Sequence, residues 1–262
     1  HQSGVKAGKV TFLCLLKLCC SKSRSLCSGR LLHNLIIEGG FESEIAIGSA
    51  LVDMYSKCGN IEEAHSTFVK ISNKNKVTWG AMISAYAQHG YGHLAIEGFN
   101  EMQQMGIKPD EVLFSCVLKG LADIRLIEKG MQTHNQIIVY GLDGDLVLGT
   151  ALIDMYINCR DPSSAYSVFK ALPCQNVITW SAIISGYVEH GHIPDALQLF
   201  EEMHKHGIKP DMVAFLCLLQ ACTTTPPRYL SDGMIIHFYV IEMGLETDSK
   251  LENGLVDMYS KC

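Results

Sequence analysis

Apolar residues recur along the chain at the spacing of one helical face. In one segment they stand at i, i+3, i+4 and i+7, as Trp79, Met82, Ile83 and Tyr86. This is the pattern of a helix that buries a single stripe. The same pattern begins again at four other aromatic residues, Phe12, Phe114, Trp180 and Phe215. Five matches to one template predict five helices with equivalent buried faces.

A second kind of helix is predicted between these ladders, where alanine precedes phenylalanine by four residues. The four pairs are Ala64 with Phe68, Ala95 with Phe99, Ala165 with Phe169, and Ala196 with Phe200. A small residue lets two helices approach, and the ring fills the space beside it. Gly90 and Gly106 stand where such helices should end. Each segment is therefore predicted to be a helical hairpin.

The hairpins form a compound repeat. Asp-Met-Tyr occurs at Asp53, Asp154 and Asp257, which are 101 and 103 residues apart, and Trp79 returns after 101 residues as Trp180. Each superperiod holds three related repeats, for which we set boundaries at 9–44, 45–75, 76–110, 111–145, 146–176, 177–211 and 212–248, with partial repeats at 1–8 and 249–262. Such periods are typical of stacked supersecondary units.

The fold follows from the size of the repeat. A single hairpin cannot bury both of its apolar faces, so each must dock on its neighbours. The chain is therefore predicted to be all-α, a single right-handed α-solenoid superhelix of helix-turn-helix repeats over residues 1–262.

Three segments carry a family resemblance. They are Val77 to Ser84, Leu51 to Gly59, and Gly106 to Asp110, and they resemble the pentatricopeptide repeat family, in the plant subclass that alternates long, short and standard motifs. By this resemblance 9–44, 111–145 and 212–248 are long, 45–75, 146–176 and the partial 249–262 are short, and 76–110 and 177–211 are standard. Editing factors of this subclass often carry further C-terminal domains (E and DYW), so the chain resembles a fragment that lacks them.

The resemblance implies recognition of single-stranded RNA at about one base per repeat. In the family, two side chains face each base: the fifth residue of the repeat, just after the helix-opening aromatic, and the last residue. Carried over, the pairs are Ser49 with Asn75, Gly80 with Asp110, Ser115 with Asp145, Thr150 with Asn176, and Ser181 with Asp211. Two further long repeats offer Leu13 with Glu44 and Leu216 with Asp248, while Asn253 stands without the last residue of its repeat.

The same resemblance suggests which bases are chosen. It implies adenine for Thr150 with Asn176 and for Ser49 with Asn75, guanine for Ser181 with Asp211, and a pyrimidine for Asn253. Gly80, Leu13 and Leu216 offer no side-chain hydrogen bond, so their repeats are expected to be unselective. In the family, aliphatic residues sandwich the bases, and here these are Val77, Val147 and Ile178.

A plainer role exists for the acidic members of these pairs. Asp110, Asp145 and Asp211 each directly precede a predicted helix, where an aspartate side chain caps exposed N–H groups. Spacing alone favours capping, and the resemblance adds base contact to it.

Composition limits the remaining function classes. The net charge is -6, which argues against tight non-specific binding to duplex DNA. No apolar run reaches the length of a membrane span. The eleven cysteines are interpreted as reduced thiols, because they are scattered and several recur at fixed helix positions, as core residues do. Neither His-x-Glu nor Cys-x-x-Cys occurs, and a zinc deaminase needs both. We predict no catalytic site, metal or cofactor.

The resulting hypothesis is a specificity adaptor in organellar RNA processing. Through the resemblance alone it is expected in the mitochondrion or the chloroplast, acting in cytidine-to-uridine editing with processing proteins supplied in trans. The competing hypothesis is a protein-binding helical-repeat scaffold of tetratricopeptide type.

Overall fold

A computed structural model describes residues 8–21, 26–224 and 229–261, and this part of the chain holds fifteen α-helices and no strand. The predicted all-α helical-repeat fold is therefore confirmed. Most of the predicted partial repeat 1–8 lies outside the described residues. The helices are α1 (Lys9–Ser21), α2 (Leu26–Glu38), α3 (Ile45–Lys57), α4 (Ile61–Lys70), α5 (Lys76–Gln88), α6 (Gly92–Gln104), α7 (Glu111–Ile124), α8 (Ile127–Val139), α9 (Leu146–Asn158), α10 (Pro162–Ala171), α11 (Val177–Glu189), α12 (Ile193–Lys205), α13 (Met212–Thr224), α14 (Leu230–Glu242) and α15 (Ser249–Lys261).

The helices form two compact units, His1–Ile124 and Arg125–Cys262. In the first unit the odd-numbered helices α1, α3, α5 and α7 pack on one another in chain order, and the even-numbered helices pack beside them. In the second unit α9, α11, α13 and α15 do the same, with α8, α10, α12 and α14 beside them. Every odd-numbered helix begins at the first residue of a predicted repeat. The assignment of repeats to long, short and standard classes stays a prediction.

Aromatic pairs join the second helix of one repeat to the first helix of the next. The Phe68 ring packs edge-on against Trp79 with 4.9 Å between centroids, and Phe169 packs in the same way on Trp180 at 4.6 Å. Ala64 and Ala165, four residues before these phenylalanines, are fully buried. The alanine-phenylalanine pattern thus joins neighbouring repeats, because the small residue admits the ring between the helices.

The predicted helix-ending glycines do end helices. Gly106 follows α6 with φ +76°, and the N–H of Ile107 donates back to the carbonyl of Met102 at 3.1 Å. This is the left-handed termination for which glycine is suited. At the equivalent point of α9 the chain has Arg160 with φ +62°, where α3 has Gly59. Repeat 146–176 therefore carries a conformation that an arginine adopts only at a cost.

A histidine–tyrosine hydrogen bond joins successive repeats at four places. In each, Nδ1 of a histidine on a second helix meets the hydroxyl of a tyrosine on the next first helix: His33 with Tyr55 (2.8 Å), His65 with Tyr86 (2.5 Å), His134 with Tyr156 (2.9 Å) and His237 with Tyr259 (3.0 Å). Burial raises the pKa of Tyr55 to about 12, so its phenol stays protonated at neutral pH. Burial also lowers the pKa of His33 and His134.

These two histidines predict a pH-dependent stability. Because the folded chain disfavours their charged form, the unfolded chain binds more protons below the ordinary histidine pKa of about 6.5. The free energy of unfolding should therefore be fully maintained above that pH and fall as the pH is lowered through the folded pKa. Urea titrations at a series of pH values measure this slope. A variant with His33→Gln and His134→Gln keeps hydrogen-bonding groups without the titration, and an unchanged slope in that variant would refute the assignment.

A cavity of about 100 Å³ lies between α4, α5 and α6 in the first unit, beside Gly98. A Cβ atom at Gly98 would meet Ile83 Cγ1 at 3.5 Å and Trp79 Cζ3 at 3.6 Å, which is ordinary contact. The residue 101 positions later is Leu199, which is 4% exposed. Repeat 177–211 therefore has a buried leucine at the position where repeat 76–110 has glycine.

Gly98→Ala is expected to raise the free energy of unfolding by about 1 kcal/mol, because alanine is the better helix former and its methyl group meets no clash. Chemical denaturation followed by circular dichroism measures the change. Leu199→Ala is the matched opposite, and it should cost about 2–5 kcal/mol. A Gly98→Ala variant less stable than the parent chain would contradict the packing described here.

Candidate nucleic-acid interface

The last residue of most repeats caps the first helix of the next repeat. Oδ1 of Asn75 accepts from the N–H of Thr78, and Oδ1 of Asn176 accepts from the N–H of Thr179, both at 3.0 Å. Aspartates do the same elsewhere: Asp110 to Leu113 (3.0 Å), Asp145 to Leu148 (2.8 Å), Asp211 to Ala214 (3.0 Å) and Asp248 to Leu251 (3.3 Å). The capping role of Asp110, Asp145 and Asp211 is therefore confirmed.

Capping uses only one of the two polar atoms at the end of each side chain. Since the atom that faces a backbone N–H must be oxygen, the amide Nδ2 of Asn75 and of Asn176 is turned away from the helix. It has no hydrogen-bond partner among the described residues. In the same way Asp211 uses Oδ1 alone and leaves Oδ2 available. The cap thus fixes the side chain while a second atom, an amide donor or a carboxylate acceptor, remains free.

The fifth residue of a repeat is connected to the last, capping residue in two of the predicted pairs. Ser181 Oγ donates directly to Asp211 Oδ1 at 2.8 Å, so this predicted pair is brought together. Ser49 Oγ lies 2.9 Å from Thr78 Oγ1, which donates to Asn75 Oδ1 at 3.0 Å, so that pair is bridged by a threonine.

The other predicted pairs are not joined in this way. Thr150 donates to the carbonyl of Leu146 at 2.8 Å and shares no hydrogen bond with Asn176. Gly80 has no side chain to offer Asp110. Ser115 and Asp145 belong to different compact units, so their pairing stays a prediction. Asn253 is exposed on α15.

An exposed aliphatic residue occupies the second position of most first helices. The three predicted members, Val77, Val147 and Ile178, are 66%, 65% and 59% exposed. Three more were missed by the prediction: Val10, Val112 and Val213, which are 53% to 73% exposed. Their signal was available, because each stands two residues before the aromatic that opens a ladder. A single exposed valine is ordinary on a protein surface, but exposed aliphatic residues at the same position of six repeats form a recurrent feature beside the caps.

One open pocket gathers several of these features. It is lined by Ser49, Asn75 and Val77, together with Lys9 and Glu44, the first and last residues of the preceding repeat. Its walls are an aliphatic side chain, an amide and a hydroxyl, with a lysine at one side. This set suits a planar, polar ligand such as a nucleobase, which needs a flat apolar contact and hydrogen bonds at its edge.

Neither a metal-binding group nor a membrane-spanning helix is present among the described residues. No group of three or more His, Cys, Asp or Glu side chains is placed to hold a metal ion in that part of the chain. The recurrent thiols of Cys58 and Cys159 lie 3.9 and 3.8 Å from the sulfur atoms of Met54 and Met155. Within the same residues, no helix has the length and apolar character of a membrane span.

Known sequences share the repeat. The model of the PPR (pentatricopeptide) repeat family matches residues 74–123 and 175–224, and that of a single PPR repeat matches residues 49–75. A pentatricopeptide repeat-containing protein of Arabidopsis thaliana is 34% identical over 231 residues, which are 88% of this chain and 28% of the relative. A mitochondrial relative from the same plant is 34% identical over 99% of this chain and 40% of its own length. A chloroplastic one is 34% identical over 89% and 28%. The chain thus spans well under half the length of these relatives.

Solved structures share the fold. The crystal structure of the pentatricopeptide repeat protein PPR10 from maize superimposes with a TM-score of 0.82 at 21% identity, covering 98% of this chain and 37% of the other. PPR10 in complex with an 18-nt psaJ RNA element gives the same TM-score at 20% identity, covering 99% and 39%. The shared helix pairs, the matched family models and the relatives agree, and this chain belongs to the pentatricopeptide repeat family.

Proposed function

We propose that the chain binds single-stranded RNA, with about one base facing each repeat. The observation that carries the proposal is the free second atom of the Asn75, Asn176 and Asp211 caps, each fixed beside an exposed aliphatic residue. An amide N–H suits the ring nitrogen N1 of adenine, which accepts, whereas a carboxylate oxygen suits the N1–H of guanine, which donates. The PPR10 complex, in which a related fold holds an RNA element, supports the same reading.

The order of repeats then predicts a target. From the 5′ end, repeats 45–75, 76–110, 111–145, 146–176 and 177–211 would read A-x-x-A-G, where x is a base of weak or unassigned preference. The adenines follow from Asn75 and Asn176, and the guanine from Asp211 with Ser181. Asp145 also leaves a carboxylate oxygen free, but Ser115 lies in the other compact unit, so no base is assigned to repeat 111–145. Asn253 would favour a pyrimidine at the repeat that begins at Ser249.

The process served by this binding is proposed from relatives that bear mitochondrial and chloroplastic names. We place the protein in one of these organelles, as an adaptor that directs RNA processing to a chosen site. Cytidine-to-uridine editing, with the modifying protein supplied in trans, is the specific process that we propose.

A second candidate function, protein binding, is favoured by one observation. Met234, Ile235, Phe238 and Ile241 on α14 are all about half exposed or more, between 48% and 63%. An apolar helix face of this kind suits a protein partner better than RNA. The scaffold hypothesis would make this face the principal site of the chain.

Fluorescence anisotropy of labelled RNA separates the two functions. The chain should bind an oligonucleotide containing A-x-x-A-G more tightly than a scrambled one of equal composition, and a folded duplex of the same sequence should compete poorly. Equal affinity for the specific and scrambled strands, or no binding to either, would sink the RNA-reading function and leave the scaffold hypothesis.

A further inference from the structure

The last aspartate has a different side-chain partner in each of the two repeats 76–110 and 177–211. In repeat 177–211, Ser181 Oγ donates to Asp211 Oδ1 at 2.8 Å. In repeat 76–110 the residue equivalent to Ser181 is Gly80, which has no hydroxyl. There, Nζ of Lys76, the first residue of α5, lies 2.6 Å from Asp110 Oδ2. An ammonium group therefore stands beside the carboxylate in the repeat where the hydroxyl is missing.

The geometry leaves this pair open to a ligand. Asp110 is held by the helix cap through Oδ1, and Lys76 contacts the other oxygen. The side chains of Lys76 and Asp110 are 43% and 33% exposed. Burial works to raise the pKa of Asp110, but the hydrogen bonds from Lys76 and from the N–H of Leu113 outweigh it and lower the pKa. The carboxylate thus stays ionised, and both side chains are reachable from solvent.

A second repeat has the same arrangement. In repeat 9–44 the fifth residue is Leu13, and the first residue, Lys9, pairs with the last, Glu44, at 2.5 Å. Lysine is the first residue of only these two among the eight repeats whose first helix is present. The remaining repeat without a polar fifth residue, 212–248, begins with Met212. Lysine therefore accompanies a missing polar residue in two of three cases.

We propose that Lys76 replaces Gly80 as the second base-reading side chain of repeat 76–110, and that the Lys76–Asp110 pair selects a base with a carbonyl oxygen beside a ring N–H, namely guanine or uracil. The proposal rests on the proposed RNA-binding function and revises the expectation, drawn from Gly80, that this repeat is unselective. The ammonium would donate to guanine O6 or uracil O4, and the carboxylate would accept from guanine N1–H or uracil N3–H. Adenine and cytosine carry an amino group in place of the carbonyl and an acceptor nitrogen in place of the N–H, so both contacts become repulsive in this register.

A contact to backbone phosphate is the alternative role for Lys76. Its Nζ contacts the carboxylate of Asp110. In the equivalent repeat, Asp211 accepts a hydrogen bond from the hydroxyl of Ser181. The ammonium therefore lies beside the aspartate that is proposed to face the base, which favours base reading over a phosphate contact. The two roles differ in their effects, because a phosphate contact weakens binding to all sequences alike and reduces the salt dependence.

The test uses the chain and four oligonucleotides of the form A-N-x-A-G, in which only the second base varies. The parent chain should bind guanine and uracil at that base about fivefold or more tightly than adenine and cytosine. Lys76→Met should bring the four affinities to within about twofold of one another. A variant with Lys76→Val and Gly80→Ser copies Val177 and Ser181 and should restore a preference for guanine. A serine fits there, since a Cβ atom at Gly80 would have Leu113 Cδ2 as its nearest contact, at 3.8 Å.

Two results would overturn the proposal. One is a parent chain with no preference at the second base while it still selects adenine and guanine at the fourth and fifth. The other is a Lys76→Met variant that loses affinity equally for all four oligonucleotides with a smaller salt dependence, which would assign Lys76 to a phosphate. Loss of selection at the fourth and fifth bases of the parent chain would instead be a failure of the RNA-binding function itself.

Discussion

Replacing Phe169 by alanine is expected to lower the free energy of unfolding by about 3–5 kcal/mol. Phe169 is fully buried on α10, and its ring lies edge-on to Trp180 on α11. The substitution leaves a cavity where the second helix of one repeat meets the first helix of the next. Because each repeat is stabilised by its neighbours, loss of this contact weakens the docking of repeats as well as the local core.

Urea unfolding followed by circular dichroism and tryptophan fluorescence measures this effect. Ser167→Ala, on the exposed side of the same helix, is the control and should change stability by less than about 0.5 kcal/mol. A loss below about 1 kcal/mol for Phe169→Ala would show that the ring is not a principal contact between the two repeats.

Asn176→Asp is expected to move the base preference at repeat 146–176 from adenine toward guanine by about 1–3 kcal/mol, roughly fivefold to a hundredfold. The substitution keeps an oxygen to accept from the N–H of Thr179, so the cap is preserved. It changes only the free atom, from an amide donor to a carboxylate acceptor. The matching base edge must therefore change from the acceptor N1 of adenine to the donor N1–H of guanine.

Affinities for oligonucleotides with adenine or guanine at the fourth base of A-x-x-A-G measure the shift. Asn176→Ser is the matched control, because serine also caps a helix but carries no amide. It should lose the adenine preference without gaining one for guanine. If Asn176→Asp changed affinity equally for both oligonucleotides, Asn176 would be a capping residue alone.

The positions of the helices and caps could be predicted from sequence because both depend on local spacing. Asp110 directly precedes the predicted helix whose apolar ladder begins at Phe114, and its side chain accepts from a backbone N–H of that helix as a cap does. The burial of Phe169 followed from an alanine four residues earlier. Val112, like Val77, stands two residues before the aromatic residue that opens a ladder, so its exposure could have been predicted in the same way.

Contacts between the first and the last residue of a repeat could not be predicted from local spacing. Glu44 stands at the last position of its repeat, as Asp110 does, yet it makes no side-chain cap and pairs with Lys9 instead. The ion pair of Lys76 with Asp110 joins residues 34 positions apart, and no periodic pattern indicates how closely the first and last residues approach. The cavity beside Gly98 could not be predicted either, because it depends on how α4, α5 and α6 pack together. The equivalent residue, Leu199, is buried.

Selection from random single-stranded RNA by the parent chain tests the central claim most directly. The bound pool should be enriched in A-x-x-A-G, with adenine three positions before the second adenine and guanine directly after it. An enriched motif that lacks these bases, or a bound pool indistinguishable from the input, would contradict the assignment of the capped side chains as readers of RNA.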